Sequence, residues 1–174
     1  MRFSTFFSAS VLSAAASGSA LILRQGNGDF VGNGRIDIIR GNSNGNLLNP
    51  NHIIGCLTIT GRWTADRSKC GVFNHSTETA QLTTSAGRCT LFDPTQEEGR
   101  PMAPQSYAFT CGNGQWSDYP AWAIRPTSNS WYVALGPGYL VYEVEKTPSG
   151  GEEVPFFNYA KSPKSLIAMV WRKI

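Results

Sequence analysis

Short stretches of β-branched and aromatic residues recur along the chain, separated by glycine, proline, asparagine and serine. "RIDIIR" (35–40), "HIIGCLTIT" (52–60), "KCGVFN" (69–74) and "AQLTT" (80–84) have strand character, as do "SYAFTC" (106–111), "WYVAL" (131–135), "YLVYEVE" (139–145) and "SLIAMVWRK" (165–173). Several of them alternate. In "YLVYEVE", Glu143 and Glu145 share one face, and Tyr142 and Val144 share the other. Turn chemistry falls between the runs, at "GNSNGN" (41–46), "TADRS" (64–68), "GPG" (136–138) and "TPSGGEE" (147–153). No window of a dozen residues carries a clean helical stripe. The pattern predicts an all-β fold, a compact antiparallel β-sandwich or barrel. Two segments break the rhythm and read as surface loops: "DPTQEEGRPMAPQ" (93–105) and "GNGQWSDYPAW" (112–122).

The first residues follow a different grammar. Arg2 precedes an uncharged run rich in Phe, Ala and Ser, and small residues at Ala16, Gly18 and Ala20 suit cleavage, so residues 1–20 read as a secretory signal peptide. Serines make the run too polar for a spanning helix, and no later stretch approaches about 20 uninterrupted apolar residues. Residues 21–30 read as a flexible leader and 31–174 as a single β-domain. The expectation is a soluble protein that is secreted, extracellular or held in a cell wall, with no membrane partner.

Export changes how the cysteines read. Cys56, Cys70, Cys89 and Cys111 all follow the signal, and an even count in an oxidising compartment implies two disulfides. Three connectivities are open, of which neighbour pairing is the simplest for consecutive strands. The spacing from Cys56 to Cys70 is too wide for a zinc knuckle, so no metal is expected and no cofactor is indicated. The formal net charge of +3 is scattered rather than gathered on one run, which neither demands nor excludes an anionic partner. Nothing in the sequence indicates an oligomeric state.

Candidate chemistry is sparse. There is no G-x-S-x-G elbow, and with two disulfides no thiol is left as a nucleophile. Acid–base cleavage of RNA would need two proton-transfer groups, and His52 and His75 could serve, with Glu78 and Arg62 as helpers. Structural roles suit both histidines better. His52 sits where a loop enters a strand, and His75 lies inside the N-glycosylation sequon that begins at Asn74, where a glycan would crowd it. A glycosidase would need paired carboxylates, and the strand acids Asp37, Glu143 and Glu145 form no evident pair. The aromatics say more: Trp116, Tyr119 and Trp122 stand in a Gly/Pro-rich loop, where flat rings can stack on sugars or unpaired bases. Covering an open end of the β-core is their competing role. Trp63, Trp131 and Trp171 lie in or beside strands and are expected in the core.

Read in order, "GCLTITGRWTADRSKCGVF", "LTTSAGRCTLFD" and "AFTCG" present the landmarks G-C-L-x-x-x-G-x-W-T, C-x-x-F, L-T-T-S-x-G-x-C and F-T-C-G. This order resembles the C-terminal, non-catalytic domain appended to some secreted or vacuolar fungal ribonucleases of the T2 family, over roughly residues 31–173. The resemblance implies a secreted fungal β-domain bridged Cys56–Cys70 and Cys89–Cys111. It carries no ribonuclease activity across, because the H-G-L-W-P-type motif of the catalytic domain is missing: His52 is followed by "IIG" and His75 by "STE". The 93–105 loop is longer, and "QWSDYPAW" richer in aromatics, than the resemblance implies. The expected function is therefore a secreted, non-catalytic binding module. Cell-wall polysaccharide is its first ligand class and RNA its second. A divergent secreted ribonuclease or other hydrolase is the alternative in the enzyme class, and a small effector-like protein that contacts another protein is the third.

Overall fold

The computed structural model describes residues 30–42, 49–93, 107–112, 121–127, 130–135 and 140–174, with backbone alone for 122–127 and Ser130. The signal peptide and all of the leader but Phe30 lie outside the described residues, as do most of the 93–105 loop and residues 113–120, Trp116 and Tyr119 among them. Along the chain run β1 (Gly32–Arg40), β2 (Ile53–Leu57), β3 (Trp63–Thr64), a 3-10 turn (Arg67–Lys69), β4 (Phe73–Ser76), β5 (Gln81–Thr84) and β6 (Gly87–Asp93). Then come β7 (Ala108–Cys111), β8 (Ala121–Thr127), β9 (Ser130–Leu135), β10 (Tyr142–Val144) and β11 (Ser165–Lys173).

The strands join in one antiparallel sheet, ordered β7-β6-β5-β4-β1-β11-β9-β8, with β2 and β3 built out from β1 and β10 attached to β11. The all-β reading holds, and the sheet is not closed into a barrel. β1 and β11 form its spine, in register from Gly34↔Lys173 to Arg40↔Ile167. Ile36, Ile38, Ile167, Met169 and Trp171 point into the main core, where they meet residues of β2 to β7, β9 and β10. Such convergence requires the sheet to curl over its own inner face. The opposite face of the spine is buried too: Ile39, Ala168, Val170 and Tyr132 form a second apolar cluster. Burial on both faces explains why "SLIAMVWRK" is nearly continuous in apolar residues instead of alternating. Trp63, Trp131 and Trp171 are all buried, as their strand positions predict.

Both bridges of the resemblance are present. Cys89–Cys111 ties residues that face each other across β6 and β7, and Cys56–Cys70 links β2 to the segment before β4. On the loop-entropy account each contributes about 3 kcal/mol.

The structure departs from the pattern in several places, and the strand expected over 52–60 is cut back to Ile53–Leu57. The strand expected over 69–74 begins only at Phe73, and β2 pairs instead with the two-residue β3, Cys56 opposite Thr64 and Leu57 opposite Trp63. β6 is a strand although Gly87, Arg88 and Asp93 dilute its apolar pattern. β8 takes Ala121 and Trp122 out of the expected loop and contains Pro126, which is tolerated because β8 ends the strand order and its register with β9 shifts between Ile124 and Thr127. Phe30, the last residue read as leader, is buried in the core, edge-on to Trp171 at 4.9 Å between ring centroids.

Candidate functional site

The landmark segment is a packing signature. In the β2–β3 hairpin the Gly61 N–H donates to the Thr58 carbonyl, and the Thr58 N–H to that of Arg62. Gly61 turns with φ +82°, a conformation that favours glycine, and a Cβ there would lie 2.9 Å from the Phe109 ring. At Gly55 a Cβ would fall 2.2 Å from the Thr64 carbonyl oxygen. Asp66 caps the 3-10 turn by accepting from the Ser68 N–H at 2.9 Å, and the disulfide then holds Cys70 with its Cα 5.5 Å from that of Cys56. Every fixed position of G-C-L-x-x-x-G-x-W-T thus serves the hairpin.

The histidines do not form a catalytic pair. His75 opposes Gly32 across β4 and β1, whereas Ile53, beside His52, opposes Ile39. Those anchor points are seven residues apart along β1, which at the usual strand rise separates the histidine backbones by about 20 Å. His52 is exposed at a cleft of about 480 Å³ shared with Arg40, Ile53 and Ile54. His75 is buried. Its Nδ1 lies 2.5 Å from the Phe30 carbonyl oxygen and its Nε2 3.2 Å from that of Ala121, and its ring stacks on Phe30 at 3.9 Å. Burial lowers its pKa, and the two carbonyls oppose that shift only in part. Both ring nitrogens face backbone, so neither is presented to a substrate.

The proposed helpers lie elsewhere as well. Glu78 is exposed in the turn between β4 and β5, and Arg62 is ion-paired with the buried carboxylate of Asp93. Asp37 is held by Arg67 and Arg172. Glu143 and Glu145 accept backbone N–H groups from Ala160 and Ser162, at 2.7 and 3.1 Å. These strand acids are engaged by the scaffold, and neither of the two grooves described for this fold is lined by them.

Of the three loop aromatics, Trp116 and Tyr119 lie outside the described residues, and Trp122 places its backbone in β8 opposite Ala134. The mounting of the loop that carries them is clear at both ends. At the β7 end, Cys111 is bridged to Cys89 and its N–H donates to the Thr60 carbonyl, while the Gly112 N–H donates to that of Arg88. At the β8 end, the Ala121 N–H donates to the Ala80 carbonyl at 2.7 Å, and its own carbonyl faces His75. Sequence reasoning missed this use of His75, because its partners are backbone atoms 45 and 46 residues away.

A second surface lies on the outer face of β1, β4 and β5. Asn33, Asn74 and Thr83 stand opposite one another across the three strands and line an open groove of about 410 Å³ with Ile59, Val72 and Thr84. Ile59 and Val72 are 44% and 46% exposed, high for large apolar side chains in this fold. Among the described residues there is no group of three or more His, Cys, Asp or Glu that could hold a metal ion, and no helix long and apolar enough to cross a membrane. Compared with family profiles, curated proteins and solved structures, the chain finds no match in any of the three.

Proposed function

We propose that the chain is an exported, non-catalytic β-domain that binds cell-wall polysaccharide, the role of accessory module that its cysteine landmarks suggest. One observation carries the reading: the aromatic loop is anchored at both ends, by the Cys89–Cys111 bridge and by the clamp of His75 and Ala80 on Ala121. Fixed loop ends lower the entropy lost on binding, and aromatic rings offer the flat apolar faces on which pyranose rings stack. Trp116, Tyr119 and Trp122 supply those rings, and backbone and hydroxyl groups of the loop would orient the sugar hydroxyls. Full pairing of four cysteines suits an oxidising compartment. The engagement of both His75 nitrogens by backbone argues against proton transfer and for a scaffold role.

Pull-down of the secreted protein on insoluble chitin, insoluble β-glucan and immobilised homopolymer RNA tests the reading. The wild type is expected to be retained on at least one polysaccharide, and Trp116→Ala with Tyr119→Ala to lose that retention at least tenfold. Retention that survives both substitutions removes the aromatic site. Retention on RNA alone moves the ligand class to nucleic acid.

A further inference from the structure

We infer that Asn74 carries an N-linked glycan whose first sugars lie in the groove over Ile59 and Val72, positioned by the side chain of Asn33. The inference rests on the export reading, because only an exported chain meets a glycosyl donor. It is carried by how the sequon sits in the sheet. Asn74-His75-Ser76 falls on β4, where alternation sends His75 inward and leaves Asn74 exposed. A glycan on Asn74 therefore does not crowd His75, contrary to the expectation from their adjacency. The acceptor nitrogen opens directly onto the groove, and Asn74 is one of its walls.

The chemistry of the groove fits a neutral sugar. Its lining is uncharged: asparagine, threonine and serine side chains, with Cys70, Ile59 and Val72. The Asn74 Nδ2 donates to Asn33 Oδ1 at 2.9 Å. Glycosylation joins Nδ2 to the anomeric carbon of N-acetylglucosamine. The bond from that carbon to the diphosphate of a polyprenyl-diphosphate oligosaccharide breaks, the diphosphate leaves with the electron pair, and Nδ2 gives up one of its two protons. One N–H remains, and it can keep the bond to Asn33. That bond fixes the plane of the linking amide and directs the first sugar along the strand row. Thr84 lines the groove, donates its hydroxyl to the Ile59 carbonyl at 2.6 Å and accepts from the Ala86 N–H at 3.1 Å, which leaves its oxygen one lone pair to accept from the sugar. The N-acetyl methyl group and apolar sugar face would cover Ile59 and Val72, which the fold itself leaves open to water.

The test uses the full chain, expressed with its own residues 1–20 as the export signal, in a eukaryotic secreting host. Intact mass of the secreted protein is expected to fall by one glycan on peptide-N-glycosidase treatment. Asn74→Gln and Ser76→Ala should abolish that change, and Ser76→Thr should keep it. After trimming to a single N-acetylglucosamine, nuclear Overhauser contacts are expected from its acetyl methyl to the methyls of Ile59 and Val72, weakened several-fold by Asn33→Ala at unchanged occupancy. An exported protein unmodified at Asn74 overturns the proposal and leaves the export reading intact. An occupied Asn74 whose sugar tumbles freely, without those contacts, overturns the assignment of the groove. A chain that never leaves the cytosol overturns both.

Discussion

The Nε2 atom of His75 lies 3.2 Å from the carbonyl oxygen of Ala121, so a side chain of β4 fixes the point where β8 begins. The same ring reaches the Phe30 carbonyl with Nδ1 and stacks on the Phe30 side chain. One residue thus joins the start of the domain, the middle of the sheet and the base of the aromatic loop. His75→Ala removes a buried ring and the one hydrogen bond that a neutral imidazole can donate to these carbonyls, a change expected to cost about 2–4 kcal/mol. His75→Phe should restore the stacking but not the hydrogen bond, and recover part of that loss. Urea midpoints of the three proteins check the order.

The pH dependence of stability follows from the same site. Burial depresses the folded-state pKa of His75 below its ordinary 6.5, so the folded protein holds it neutral while the unfolded chain takes up a proton more readily. Its contribution is fully present above pH 6.5 and is lost as pH falls from there through the folded-state value. Wild-type stability should therefore fall between pH 7.5 and 5 more steeply than that of His75→Phe. Parallel slopes for the two proteins in denaturant titrations would show that His75 does not titrate in this range.

Arg62 and Asp93 make a second buried connection, between the β2–β3 hairpin and the end of β6. Removing one partner leaves the other charge in a poor environment, and Arg62→Met is expected to cost about 3–5 kcal/mol at neutral pH. The double variant Arg62→Met/Asp93→Leu should be less damaged than the sum of the single variants, since it removes both charges of the pair together. A thermodynamic cycle from chemical denaturation measures the coupling, and simple additivity would mean that the pair contributes nothing as a pair.

What the sequence conveyed, and what it could not, divides along physical lines. The period-two pattern of "YLVYEVE" survives as a buried Tyr142 and Val144 beside half-buried Glu143 and Glu145, because side-chain alternation is a local property of a strand. The cysteine landmarks were legible as a fold signature, and Gly55, Gly61 and Trp63 now have packing reasons for their spacing. β6 and β8 were not legible, since their hydrophobic pattern is diluted and pairing with β7 and β9 makes them strands. Non-local pairing also hid both candidate surfaces. Nothing in the sequence places Asn33 beside Asn74, 41 residues on, or points the ring of His75 at Ala121. Composition marked the aromatic loop, but its anchoring depends on which strands lie at its two ends.

Gly55 offers the sharpest test of the landmark hairpin. It lies in β2 opposite Ile38 of β1, and a methyl group added there would sit 2.2 Å from the Thr64 carbonyl oxygen and 2.6 Å from the Trp63 indole nitrogen. The first obstacle is backbone, held in the β2–β3 ladder by the pairing of Cys56 with Thr64, so it cannot swing aside as a flexible side chain would. Gly55→Ala must push β3 away from β2 or displace the buried Trp63, and overpacking of that kind costs about 1–3 kcal/mol. Gly150→Ala is the uncrowded comparison: its φ of +56° lies in the left-handed well that L residues can enter, milder than the +158° of Gly55, and nothing lies within 4 Å of its Cβ. Gly55→Ala is expected to lower the urea midpoint more than Gly150→Ala and to change the fluorescence of Trp63. Equal losses in the two variants would mean that the close approach of β2 and β3 is not what requires glycine at position 55.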